Sequence, residues 1–192
     1  DVYKRQVGDG DRKQLMSGTI DRVDICENGT DVYVRIIDYK TGKKDFNIVK
    51  TYYGIDIQLM VYMEAAMKLV AKMRPGKNVI PAGVFYYNIS DPIVSATTES
   101  AEEIEDKIKG ELRLKGMVNS DKDIAEKMDN TEGTSLNIPV SRKADGGFDS
   151  RRSKVMNTEQ FNILGRFVDV RAIDTADRIA GGDIRRSPYK DG

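Results

Sequence analysis

At 192 residues, with 39% apolar and 32% charged side chains, the chain fits one ordinary domain or one domain carrying an insertion. Its 31 basic residues are matched by 31 acidic ones, which excludes the overall basic excess of a free-standing nucleic-acid binder; DNA handling, if any, belongs to a local site while other domains hold the strand. A single cysteine, Cys26, and no histidine exclude an internal disulfide, a multi-cysteine cluster, histidine triads and histidine-ligated zinc, leaving carboxylates, lysine and oxygen-seeking metals as the available chemistry.

The elements, in chain order, begin with a segment set aside. Residues 1–6 resemble translated adapter DNA at the end of a fragmentary sequence, so residues 1–14 stay outside the fold argument. Residues 15–25 read as a strand, residues 26–31 as a turn built on Asn28 and Gly29, and residues 32–40 as a second strand. Asn-Gly between two such runs is a strong hairpin signal. After the break at residues 41–44, helical spacing of apolar residues predicts one helix over 48–73, stopped by Pro75 and Gly76. Residues 82–89 read as a third strand with Phe85, Tyr87 and Ile89 on one face. A charged helix follows over 99–114, with Ser100 as N-cap and Glu103 completing a capping box. A short helix over 121–130, a loop over 131–135 and a short strand over 136–142 lead to the turn at Gly146 and Gly147. The last helix spans 158–180, capped by Thr158, burying Phe161, Leu164, Phe167 and Val168, and ended by Gly181 and Gly182. The order predicts a mixed α/β domain. No apolar run is signal-like or of membrane length, so the cytoplasm is the default compartment.

With Asn28 and Gly29 at the hairpin tip, Asp21 falls opposite Ile36 and Thr19 opposite Asp38. Asp38 and Lys40, two apart on a strand, share a face. Asp21 shares it too, diagonal to Asp38 at about 7–8 Å. Two carboxylates this close repel unless a cation lies between them, and magnesium, held by one or two carboxylates and waters, suits the place. Such an ion polarises a phosphoryl oxygen and lowers the pKa of a bound water. Lys40 is placed to orient or help deprotonate that water and to offset charge on the phosphate. This is chemistry for phosphodiester hydrolysis without a covalent intermediate. The competing reading has Asp21 and Asp38 as solvated strand-end residues paired with Arg22 or Lys40.

On the following helix Gln58 and Tyr62, four apart, share a face on or beside which lie Ile55, Ala65, Ala66 and Leu69. A glutamine amide in an apolar stripe costs a few kcal/mol unless it finds partners. Beside an Asp/Asp/Lys ribbon, its expected role is contact with the metal-site loop or the scissile nucleotide.

Three stretches, 18–24 (GTIDRVD), 37–42 (IDYKTG) and 53–62 (YGIDIQLMVY), together resemble the RecB-type branch of the PD-(D/E)XK nucleases. More narrowly, they resemble the C-terminal nuclease domain found in the B subunit of the ATP-dependent helicase/deoxyribonuclease, the AddB or RexB type. The likeness extends to 110–119, 138–140 and 182–189. It implies a restriction-endonuclease-like core over 15–192, a mixed central sheet flanked by helices, with an insertion at about 90–147. It implies Asp21, Asp38 and the Tyr39 backbone carbonyl as ligands of Mg2+ or Mn2+, Lys40 as the catalytic lysine, and Gln58 and Tyr62 as the branch's Gln-x-x-x-Tyr element. Asp24 belongs to the family pattern but points away from Asp21, which makes it structural.

The resemblance further implies an exonuclease acting on DNA ends or single-stranded DNA, partnered with the helicase (A) subunit of the same complex, in the bacterial cytoplasm at the nucleoid during double-strand-break repair. Members carry an upstream histidine helix and four iron–sulfur cysteines that nothing here matches, Cys26 included. The expectation is therefore a fragment ending just short of a cysteine trio, with a marginal fold and weak activity alone. Two rival readings are a non-catalytic DNA-end-binding or scaffold module of the same fold, and a stand-alone exonuclease of the CRISPR-associated type. Arg22, Tyr86 and Tyr87 are candidates either for DNA contact or for structure, and the basic run Arg151, Arg152, Lys154 either for DNA contact or for a solvated face.

Overall fold

The computed structural model describes residues 2–7, 14–89, 100–186 and 188–189. β1 (Val2–Val7) and β2 (Gln14–Thr19) pair antiparallel as a sheet of their own. The expected single strand over 15–25 is thus two, parted at Ile20 and Asp21 before β3 (Arg22–Asn28).

β3 and β4 (Asp31–Lys40) form the predicted hairpin, with a corrected register. Asn28 pairs with Asp31 and Arg22 with Ile37, so the two loop residues are Gly29 and Thr30. Gly29 has φ of 60° and no non-glycine residue has positive φ; a glycine at the first central position of a primed turn meets that demand, whereas Asn28 there would not. The turn is therefore shorter than 26–31, and Cys26 lies within β3. The pairing shifts by two residues, an even number, so each side chain keeps its expected face.

β4 is buried on both sides, as a strand in the middle of a sheet must be. Val32, Val34 and Ile36 face one core, and Tyr33 and Ile37 the other. The segment after it holds two helices rather than one: α1 (Ile48–Tyr52), capped by Asn47, and α2 (Gln58–Met73). Gly54, at φ 78°, sits in the break, a conformation that ends a helix at low cost only for glycine. β5 (Asn78–Asn88) lies parallel to β4, longer at its start than the predicted 82–89 and leaving Ile89 outside.

α3 (Ala101–Leu112) has the expected Ser100–Glu103 capping box. β6 (Lys115–Asn119), antiparallel to β5, was not foreseen, although it lies inside the expected insertion, whose residues 90–99 are outside the described ones. α4 (Lys122–Met128) is capped by Asp121. The predicted strand over 136–142 is absent. Ile138, Pro139 and Val140 are buried in succession, with only isolated bridges from Thr134 to Ser141 and from Arg142 to Phe148; Pro139 has no N–H to give a ladder. The sheet is completed by β7 (Val155–Met156), parallel to β6, giving the order β3-β4-β5-β6-β7.

α5 (Thr158–Ala180) matches its predicted span, but its cap is Asn157, which exchanges capping-box bonds with Gln160. Thr158 instead accepts a hydrogen bond from Asn119 Nδ2 at 2.8 Å. α2 covers one sheet face through Leu59, Met60, Met63 and Val70, and α5 packs on it through Phe161, Leu164 and Val168, with Phe167 partly buried alongside. Ile37, Phe85, Val118, Ala125, Ile138 and Val140 fill the opposite face. The result is the expected mixed sheet flanked by helices.

Candidate active site

Val34, Ile36, Asp38 and Lys40 alternate along the face of β4 that meets α2, so the apolar run ends in two charged residues at the strand's C-terminal end. Asp38 is only 2% exposed. Its Oδ2 lies 2.6 Å from Lys40 Nζ, yet no donor is aligned on it for a hydrogen bond. Lys40 Nζ donates to Gln58 Oε1 at 2.9 Å, and Gln58 Nε2 donates to the Tyr62 hydroxyl at 2.9 Å. Gln58 is the first residue of α2 and Tyr62, 9% exposed, sits one turn on. The glutamine amide expected to need partners has two. Ala65 and Ala66 are buried beside it, but Ile55 and Leu69 are not on a buried stripe: they are 51% and 53% exposed, Ile55 because it falls in the break between α1 and α2.

Asp21 lies just before β3. Extending the observed register by one residue sets it directly across from Asp38 rather than diagonal to it, and its Oδ2 accepts the Tyr39 N–H at 2.9 Å. Asp24 occupies the other face, as predicted. It takes hydrogen bonds from Arg22 Nε at 2.8 Å and Arg35 Nε at 3.0 Å. Partial burial pushes its pKa up, but the two guanidinium groups outweigh it and hold the carboxyl below the usual range. Arg22 is thereby bound into the ribbon's structure.

Among the described residues no three histidine, cysteine or acidic side chains converge. The donors at this place are two carboxylates and main-chain oxygen. That set fits a hard divalent ion that keeps most of its waters and does not fit zinc. The buried Asp38 Oδ2, lacking an aligned donor, is the acceptor such an ion would satisfy.

A second layer was not foreseen. Tyr86 pairs with Asp38 in register and is fully buried; its ring lies between Lys40 Nζ, 5.7 Å from the centroid, and Lys44 Nζ, 5.6 Å from it. The Tyr86 hydroxyl donates to Asp56 Oδ1 at 2.7 Å, and Asp56 Oδ2 is 3.3 Å from Lys44 Nζ. Burial first, and then the Asp56 carboxylate, push the Tyr86 hydroxyl far above its ordinary pKa, so it stays a neutral donor. Asn88 holds the Lys44 backbone by both N–H and C=O, each at 3.0 Å. Tyr86 is thus a core residue, while Tyr87 is half-buried and meets Tyr39 edge to face. Of the basic run, Lys154 pairs with Asp45, and Arg151 and Arg152 are exposed.

Comparison with known proteins agrees with this geometry. Among curated relatives are proteins named as the B subunit of the ATP-dependent helicase/deoxyribonuclease. The chain is 38% identical over 177 residues, 91% of its length, to the one from Thermoanaerobacter sp. (strain X514). It is 42% identical over 175 residues, 90% of its length, to that from Caldanaerobacter subterraneus subsp. tengcongensis, and 36% identical over 198 residues to that from Lachnoclostridium phytofermentans. The chain spans only 15–17% of the length of these relatives. Residues 3–191 match the model of one family, and the chain belongs to that family, the PD-(D/E)XK nuclease superfamily.

Proposed function

We propose that this chain is the nuclease part of a larger helicase–nuclease protein and hydrolyses DNA phosphodiester bonds as a divalent-metal-dependent exonuclease. One observation carries the reading: the unbroken series Asp38, Lys40, Gln58, Tyr62, in which a buried carboxylate with a spare oxygen lies against an ammonium held by a structured amide. Asp21, Asp38 and the Tyr39 carbonyl would hold Mg2+ or Mn2+. When bound, the ion supplies charge to polarise a phosphoryl oxygen and to acidify water. Lys40 is the residue that meets charge building up on the phosphate, and it does so without reorganising, because Gln58 already fixes its ammonium. Gln58 is in turn oriented by Tyr62. No described helix is long and apolar enough to cross a membrane, in keeping with action on DNA in the bacterial cytoplasm.

The relatives' name supports a helicase subunit as partner and double-strand-break processing as setting. The iron–sulfur cluster that the resemblance implies would draw on cysteines outside this sequence, since Cys26 lies alone on β3. The test uses the full-length protein with its helicase partner. Asp38→Ala and Lys40→Ala should each cut DNA about 100-fold or more slowly while unwinding proceeds as before. Manganese binding seen by calorimetry should vanish in Asp21→Asn. Cutting that survives both ribbon substitutions refutes the site; manganese binding that is insensitive to the carboxylates favours a scaffold role.

A further inference from the structure

Directly beside the site is a cleft of about 420 Å³, walled by the segment after β4, the end of α3 and the start of β6. Five cationic side chains line it, those of Lys43, Lys44, Arg113, Lys115 and Lys154, against the two acids Asp45 and Glu111. For a chain with no net charge, this is a marked local excess. Part of it is neutralised: Lys154 pairs with Asp45, and Lys44 with Asp56. The rest is not. Among the described residues neither Arg113 nor Lys43 meets a carboxylate, and Lys115 reaches only the Gly110 carbonyl, at 3.5 Å. Arg113 is half-buried, and burial lowers its pKa with no anion to oppose it. A half-buried guanidinium without a counter-charge carries a desolvation cost that a bound anion would offset.

The sheet register orients this cleft relative to the reaction. Asp38 pairs with Tyr86, and Tyr86 with Lys115. The three form one row on one face, with Lys115 two strand spacings, about 10 Å, from Asp38. Lys40 and Lys44 flank the same Tyr86 ring, so a single aromatic ring separates the candidate catalytic ammonium from the cleft wall.

The geometry points to this cleft as a binding site for backbone phosphates of the DNA strand next to the phosphate that is cut, contacted by Arg113, Lys115 and Lys43. This rests on the nuclease reading above and adds to it the place where the substrate strand is held. Arg113 and Lys115 position the strand and take no part in bond breaking. The cations read charge and not sequence, so the grip serves any strand.

The test uses the full-length protein in its helicase complex and single-stranded oligonucleotides in which one linkage at a time is made a neutral methylphosphonate. With the wild type, neutralising one or two linkages flanking the cut should raise KM about tenfold. Arg113→Gln with Lys115→Gln should raise KM to the same extent on the native strand and leave kcat within about twofold. The slope of log affinity against log salt should become shallower by about 1.4, from 0.7 for each phosphate no longer neutralised on a single strand. The decisive result is coupling: the double variant should no longer respond to the neutral linkage. Arg113→Lys should keep most of the affinity, which a purely structural role for the guanidinium would not allow. If wild type cuts, Asp38→Asn does not, and the double variant keeps native KM or responds to neutral linkages like wild type, the cleft assignment is wrong and the nuclease reading stands. If Asp38→Asn cuts like wild type, both fall together.

Discussion

Lys40 is held in place by a relay of two uncharged groups, and the smallest change that tests it is the loss of one oxygen. Tyr62→Phe keeps the ring and its packing on Gly18 but removes the hydroxyl that accepts from Gln58 Nε2. The amide then has no partner fixing its rotation, and Lys40 loses a preset position. Stability should fall by about 1 kcal/mol, one hydrogen bond's net worth. Cutting by the full-length complex should slow about tenfold in kcat, the usual cost of losing an outer partner of a metal-site residue, with KM unchanged. A pure KM effect would instead place Tyr62 in strand binding. Asp24 shows the contrast between a site carboxylate and a structural one. Both it and Asp38 lie near cations, but Asp24 has aligned arginine donors, whereas Asp38 has an oxygen with none.

The hairpin, the α2 face and α5 were legible because each is written in local chemistry: a glycine for the turn, apolar residues at the right period, and caps. The site could be read despite the register error because a two-residue slip preserves faces, so Asp21, Asp38 and Lys40 kept their common side. What escaped was set by distant partners. β6 is five residues long, has a glycine at its second position and lacks clean alternation, and it is a strand only because β5 offers it a ladder. Asp56 looked like a residue of a long helix until Gly54 broke that helix and turned Asp56 inward to Tyr86. The stretch 136–142 misled in the other direction, since its buried backbone is satisfied by side chains. Nearby, Asp129 accepts from the Thr131 N–H at 2.7 Å, from Ser135 Oγ at 2.6 Å and from Asn137 Nδ2 at 2.9 Å. Burial raises the pKa of Asp129, but these donors more than reverse it and bring it down to about 2. A carboxyl depressed on folding stabilises above its unfolded pKa and loses that contribution as pH falls through its folded one. Acid titration of stability should therefore show a component lost between about pH 4 and pH 2 that is absent in Asp129→Asn. An identical acid profile for the two proteins would remove the carboxylate from its place as the loop's organiser.

The charge balance of the molecule as a whole sets what its site can do alone. With 31 cations and 31 anions, the domain has no net charge to draw in a polyanion from a distance, and several of its unpaired cations are gathered within one cleft. A few phosphate contacts give weak and strongly salt-dependent affinity. In the relatives this region is 15–17% of a much longer protein, and the remainder is the natural place for the main hold on the strand. Chemistry and grip should then separate. A small activated phosphodiester, which needs no grip, should be turned over at the Asp38–Lys40 site with similar kcat/KM by this chain and by the full-length protein. An oligonucleotide should be cut far better by the full-length protein, by about 100-fold at moderate salt, since a difference of some three neutralised phosphates changes affinity by orders of magnitude there. Lowering the salt should narrow that gap, because it strengthens the few contacts the domain itself makes. If this chain alone cuts oligonucleotides as well as the full-length protein does at moderate salt, the grip lies within these 192 residues, and the division of labour argued from its charge is wrong.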